Sequence, residues 1–216
     1  MLRETYGEMI IKEGSILYHT SDNIYKFRRK KPMLFCSFHP SEYTGYNKYL
    51  HYIKIKKDIS LLFMINYIDK IKIYSSLNDI IDHPNKNLAK KHDYVLKIMV
   101  KYLKKENFDG WFSSIENKPH VEVALNNDKD IYEVIDTKIL KQNWNNGRYK
   151  GDNNEIIIKK DWGSIPICTI KIPVILNIKK KYKRMIKKYK DCEISSKFIS
   201  EYIFQIILDN AIINYI

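Results

Sequence analysis

Glycine is scarce in this chain, seven residues in 216. A Walker or dinucleotide-binding loop sets glycines at fixed offsets so that the backbone can approach phosphates, and no such cluster occurs here. Cysteine is scarcer still: Cys36, Cys168 and Cys192 form no CxxC pair and make an odd count. That usage argues against a disulfide framework or a zinc site and for a reducing compartment. No apolar leader-like run opens the sequence, so no secretory signal is visible and an intracellular location is expected. His51, His83 and His92 lack metal-ligand spacing and read as surface or loop residues, and Asp79, Asp82 and Asp93 form no metal cluster by spacing. No metal is expected, and no internal repeat is visible.

What the chain has in abundance is Lys, Ile, Asn and Tyr, a usage that points to an AT-rich genome rather than to a chemistry. The net charge is +13. Such a balance suits a polyanionic partner, because Lys and Arg release the counterions of phosphates, and it equally suits a solvated lysine-rich surface. At 44% hydrophobic, 216 residues can bury one good core and a small additional lobe.

The periodicities predict an α+β protein. Residues 1–14 read as a short arm or a first helical turn, and Gly14 releases an apolar strand ending at His19. Further strands are expected over 33–38, 49–55 and 60–65, the last a continuous apolar run suited to burial on both faces. Ser41 can cap a short helix through Tyr46. Leu88, His92, Val95, Leu96, Met99, Val100 and Leu103 recur at helical spacing with Lys on the opposite face, predicting one substantial amphipathic helix. Short strands are expected at 110–114, 121–125 and 131–135. Beyond Leu140 a polar, glycine-bearing loop leads to strand candidates at 155–158 and 165–172, then to helices over 178–189 and 194–216. The division expected is a core over 1–140 and a basic C-terminal helical extension over 141–216 packed on it.

Three features in order suggest a site: His19 at a strand end in Leu17-Tyr18-His19-Thr20-Ser21, a strand leading into an aromatic turn, and Glu122 on the late alternating strand. Residues 14–137 resemble the ADP-ribosyltransferase-like superfamily, which includes poly(ADP-ribose) polymerases and diphtheria-type toxins. In many members the first core strand ends in His, Gly, then Thr or Ser; here His19 is followed by Thr20. The run Met33-Leu34-Phe35-Cys36-Ser37-Phe38-His39-Pro40-Ser41-Glu42-Tyr43-Thr44-Gly45-Tyr46 is similar to the polymerase-type strand, turn and helix that ends in a nicotinamide-stacking tyrosine. The resemblance implies a split antiparallel or mixed β-sheet core and NAD as substrate. It implies catalytic roles for Glu122 and His19, and NAD contacts from His19, Thr20, Phe35, Ser37, Tyr43 and Tyr46. The activity implied is transfer of ADP-ribose to a protein or nucleic-acid acceptor.

The reaction splits the bond between nicotinamide and ribose through an oxocarbenium-like transition state. A tyrosine face can stack on the leaving ring, worth about 0.5–1.5 kcal/mol beyond burial. A carboxylate can hold the ribose 2′-hydroxyl, stabilise developing positive charge and orient a nucleophile. Each residue has a plainer alternative: His19 bonded to a neighbouring loop, Glu122 on a solvated sheet face, Tyr43 and Tyr46 as core aromatics. Glu116 is a rival acid in a loop. Two departures from the family pattern stand out. Thr20 brings a side chain where glycine gives clearance, and Phe35 lacks the hydroxyl of the usual tyrosine, which Ser37 on the same strand face can supply. RNA 2′-phosphate removal, another activity of the superfamily, wants several arginines, and this chain has only Arg3, Arg28, Arg29, Arg148 and Arg184.

Eight of the twelve residues from Lys179 to Lys190 are Lys or Arg, interleaved with Tyr182 and Tyr189. They could meet nucleic acid, anionic lipid or only water. The apolar stretch that follows carries Glu201, Gln205 and Asp209 and is a poor spanning segment, so a docked helix and no membrane span are expected. The alternative to an enzyme is a non-catalytic basic interaction protein on the same fold, binding nucleic acid or assembling with other proteins.

Overall fold

A computed structural model describes residues 2–24, 31–38, 47–64, 73, 88–114, 121–139, 168–172, 207 and 211–215. Its elements are helix α1 (Leu2–Tyr6), strands β1 (Glu8–Ile11), β2 (Ile16–Ser21), β3 (Met33–Cys36), β4 (Tyr49–Ile55) and β5 (Ile59–Met64), helix α2 (Leu88–Lys105), and strands β6 (Gly110–Ser114), β7 (Val121–Asn126), β8 (Tyr132–Ile139), β9 (Cys168–Ile172) and β10 (Ile212–Tyr215). The fold is α+β, with strands in one mixed and one antiparallel sheet. Seven strands run in the order β10-β9-β1-β5-β6-β7-β3, and three in the order β2-β4-β8.

Alternation along the strands builds two cores. Leu61 and Phe63 of β5, Leu34 and Cys36 of β3, and Val123 and Leu125 of β7 face Leu17 of β2 and Ile53 of β4, filling the space between the sheets. On the other face of the large sheet, Leu62, Met64, Trp111 and Ala124 pack under Leu96, Met99 and Leu103 of α2. Strand β5 is apolar at every position but Ser60 because it is covered on both sides. Trp111 is fully buried, and truncating an aromatic of that kind costs roughly 3–5 kcal/mol. Helix α2 turns Val95, Leu96, Met99 and Leu103 inward and leaves Lys97, Lys101, Lys104 and Lys105 in water. It ends on Asn107 at φ 61°. The Phe108 N–H reaches the Leu103 carbonyl at 2.8 Å and the Asn107 N–H the Lys104 carbonyl at 3.2 Å, a Schellman cap that puts Phe108 against Leu103 in the core. Gly110 then opens β6, where a Cβ would stand 2.0 Å from the Ala124 carbonyl oxygen.

Two expectations need correction. Residues 8–11, taken with an arm or helical turn, are strand β1, paired with β5 on one side and β9 on the other. The helix expected through 216 gives way to strand β10, which runs parallel to β9, so part of the C-terminal region is built into the sheet as strand rather than forming a wholly helical extension. Both strands are four residues long, too short for period alone to separate them from a helical turn. Strand 131–135 also extends to Ile139, at an edge where Ile135 and Ile139 are exposed. Among the described residues no helix is long and apolar enough to cross a membrane.

Candidate functional site

Glu122 projects from the α2 face of the large sheet, the face that also carries Ala124. Its cross-strand partner on β6 is Ser113. On the other side β3 pairs with β7 through Cys36 and Val123. The paired stretch ends there; Ser37, the next residue, alternates with the core-facing Cys36 and so takes the side of Phe35. Opposed residues of antiparallel strands point the same way, so Ser113 lies beside Glu122, and Ser37 is on the same face of the sheet. All three are buried. One step along the ladder, Trp111, Ala124 and Phe35 form the next rank, with the Phe35 and Trp111 rings edge to face at 6.0 Å. The Trp111 indole Nε1–H donates diagonally to Glu122 Oε1 at 3.3 Å.

The β3 side of the large sheet meets the small sheet at Ser37. Ser37 and Tyr18 exchange backbone hydrogen bonds of 2.8 and 2.9 Å, the bridge by which β2 meets the large sheet. Tyr18 pairs with Tyr52 of β4, and Tyr52 with Asp136 of β8. Two rows result, Ser113 with Glu122, and Ser37 with Tyr18, Tyr52 and Asp136, each with a polar group at every position. Thr20 shares the face of Tyr18 by alternation, and the Asn47 side-chain amide donates to its hydroxyl at 2.7 Å.

His19 lies on the reverse side. It alternates with Tyr18 and Thr20 and shares the face of Leu17, which enters the core between the sheets. Its Nδ1–H donates to the Phe35 carbonyl at 2.7 Å. Its ring stacks on His51 of β4, centroids 5.7 Å apart and planes 24° apart. His51, read from sequence as a surface or loop residue, is instead a fully buried strand residue. Ser21 Oγ donates to the Asn23 carbonyl, so it accepts from His51 Nε2–H at 2.8 Å, which leaves Nδ1 to accept from the Thr137 hydroxyl at 2.9 Å. Burial holds both imidazoles below the ordinary histidine range, the Phe35 carbonyl partly opposing this at His19 and the neighbouring His19 adding to it at His51. Both are neutral at pH 7. Burial likewise pushes the Cys36 thiol up and the Cys168 thiol up to about 12, so neither supplies a thiolate.

Glu122, Phe35, Ser37 and Thr20 therefore share one face, and His19 stands on the other. Tyr43, Tyr46, Glu116 and the basic run from Lys179 to Lys190 lie outside the described residues. Trp111, Ser113, Tyr18 and His51 were not singled out as site residues from sequence. Their signal was available only through register, since Trp111 and Ser113 gain meaning once Glu122 is known to lie opposite Ser113. Among the described residues no three His, Cys, Asp or Glu side chains converge as a metal site requires. Comparison with family models, with curated proteins and with solved structures finds no match to this chain.

Proposed function

We propose that this chain is an NAD-dependent ADP-ribosyltransferase-like protein that transfers ADP-ribose to a protein or nucleic-acid acceptor. The observation that carries the reading is the setting of Glu122: a buried carboxylate oriented by an indole N–H, paired across the ladder with Ser113, on a strand beside the one bearing Phe35. A carboxylate with a serine hydroxyl as its cross-strand neighbour suits a ribose diol, and its fixed orientation is what stabilisation of developing positive charge requires. In this role Glu122 holds the ribose 2′-hydroxyl of NAD, Ser37 and Thr20 offer further hydrogen bonds, and Phe35 supplies an apolar wall. Tyr46, further along the chain, is the proposed nicotinamide-stacking residue, with Tyr43 a further NAD contact. The glycosidic bond breaks with its electron pair leaving on nicotinamide, and the acceptor nucleophile bonds to the ribose carbon as its proton passes to Glu122 or water.

The strand motif fits the observed faces when it is taken one residue earlier. Tyr18, His19 and Thr20 then stand at its His, Gly and Thr positions, with Tyr18 and Thr20 toward Glu122 and His19 between them. That reading moves His19 out of direct catalysis. A second reading, a non-catalytic basic interaction protein, draws on the same departure and on the net charge of +13. Titration with NAD separates the two. The enzyme reading requires saturable NAD binding and transfer of label from adenylate-labelled NAD, and is lost if neither occurs. The alternative requires salt-dependent binding to nucleic acid that weakens when lysines between Lys179 and Lys190 are neutralised.

A further inference from the structure

We propose that His19 is a positioning residue for this site: from the back of the sheet it holds the β3 edge that carries Ser37, and its stacking on His51 makes that hold sensitive to protons. The inference rests on the Glu122 face being the ligand face.

The seam between the two sheets is short. Strand β3 is the last of its sheet, and its outer edge is met by Tyr18 at Ser37 and by the His19 side chain at Phe35. The backbone groups of alternate residues point the same way along a strand, so Phe35 and Ser37 present theirs together toward β2. His19 thus adds a hydrogen bond immediately beside the Tyr18–Ser37 pair. Whatever fixes Phe35 and Ser37 in the backbone fixes their side chains on the face of Glu122.

His19 is fixed in turn by His51, which is bonded at both ring nitrogens to hydroxyls on strands to either side of β4. The arrangement accommodates two neutral imidazoles. A proton entering it loses hydration, and a second one also meets a like charge at stacking distance. Among the described residues, the other titratable groups on this face are Tyr49 of β4, stacked on His51 at 6.3 Å, Tyr132 of β8 in the core, and Cys36 of β3 and Cys168 of β9, both neutral thiols. Asp136 and Lys138 of β8 project with Tyr52 from the opposite face, and Asp22, just past β2, is exposed. No carboxylate of the described residues on this face offsets an imidazolium. Acid therefore favours parting of β2 from β3, which lets the pair reach water and loosens Ser37.

The test is amide hydrogen exchange at Tyr18 and Ser37 without ligand, over a pH series from 7.5 to about 5, run beside NAD titrations on the same protein. Protection corrected for intrinsic rate should fall at these two amides by up to about tenfold per pH unit for each proton taken up. Protection at Phe63 and Phe112, in the middle of the large sheet, should hold. NAD affinity should weaken over the same range. His19→Asn keeps a donor for the Phe35 carbonyl but cannot be charged, so only His51 remains to take up a proton and the pH dependence of both protection and affinity should shrink. Protection at Tyr18 and Ser37 that ignores pH, or the same pH dependence in His19→Asn, overturns the proposal. Absence of NAD binding at every pH overturns the ligand reading and the positioning role with it, and is told apart because exchange is read without ligand.

Discussion

Trp111 and Glu122 are joined across the β6–β7 ladder, the indole Nε1–H donating to Oε1 at 3.3 Å within a buried face. The bond runs diagonally, because Trp111 lies directly opposite Ala124 and Glu122 opposite Ser113. A small residue at position 124 leaves room for the indole to lean toward the carboxylate. Orientation and burial of Glu122 thus come from a residue whose first role is to fill the core beneath α2.

Trp111→Phe keeps most of the apolar volume and removes the donor. A hydrogen bond to a charged group is worth about 1.5–3 kcal/mol, so chemical denaturation should show a stability loss of that size. NAD binding should weaken with it, since Glu122 loses its fixed orientation. Unchanged stability would mean the indole bond contributes nothing to the fold.

Gly110→Ala tests the close approach of β6 to β7. A Cβ 2.0 Å from the Ala124 carbonyl oxygen cannot be accommodated by a side-chain rotation, because the obstacle is backbone. Overpacking of this kind costs about 1–3 kcal/mol or more. A melting temperature equal to that of the parent protein would contradict the register assigned to β6 and β7.

Asn107→Ala tests the helix cap. Alanine at φ 61° incurs the left-handed penalty of roughly 1–2 kcal/mol that asparagine tolerates better, whereas Asn107→Gly should leave stability close to the parent. Equal denaturation midpoints for all three proteins would remove the cap from the account of how α2 ends.

Stability should also depend on pH through the imidazole pair. The folded values of His19 and His51 lie below the ordinary 6.5 of the unfolded chain. The unfolded state therefore binds more protons once pH falls below that value, and their contribution is complete above pH 6.5 and declines as pH drops toward the folded values. Thermal melts between pH 7.5 and 5 should show this decline, and it should shrink in His19→Asn.

Much of the fold was legible where one face of an element decides its pattern. The apolar run of β5, the alternation of Val121, Val123 and Leu125 around Glu122, and the three-and-four spacing of α2 each announced a half-buried or fully buried element. Strand β1 was hidden because four residues, one of them a buried Glu8 held by Ser60 at 2.5 Å and Lys171 at 3.4 Å, carry no readable period. The site divided along the same line. Glu122 could be named from its own strand, whereas its burial depended on Ser113, Trp111 and the β3 edge. His19 could be named as a strand-end residue, but which face of β2 meets Glu122 is set by the pairing of Tyr18 with Ser37, a contact between strands with no local signature. His51 was misread for a similar reason: its strand was visible, and its position against His19, Ser21 and Thr137 was not.

The central claim is that Glu122 is the carboxylate of an NAD site, and nicotinamide release from NAD by the parent protein and by Glu122→Gln tests it most directly. The amide is nearly isosteric and can still accept from Trp111, so the protein should fold, with the indole bond reduced to that of a neutral pair. Loss of the charge should slow release by about 10²–10³-fold. Equal rates in the two proteins, or no release by the parent protein, would contradict the assignment.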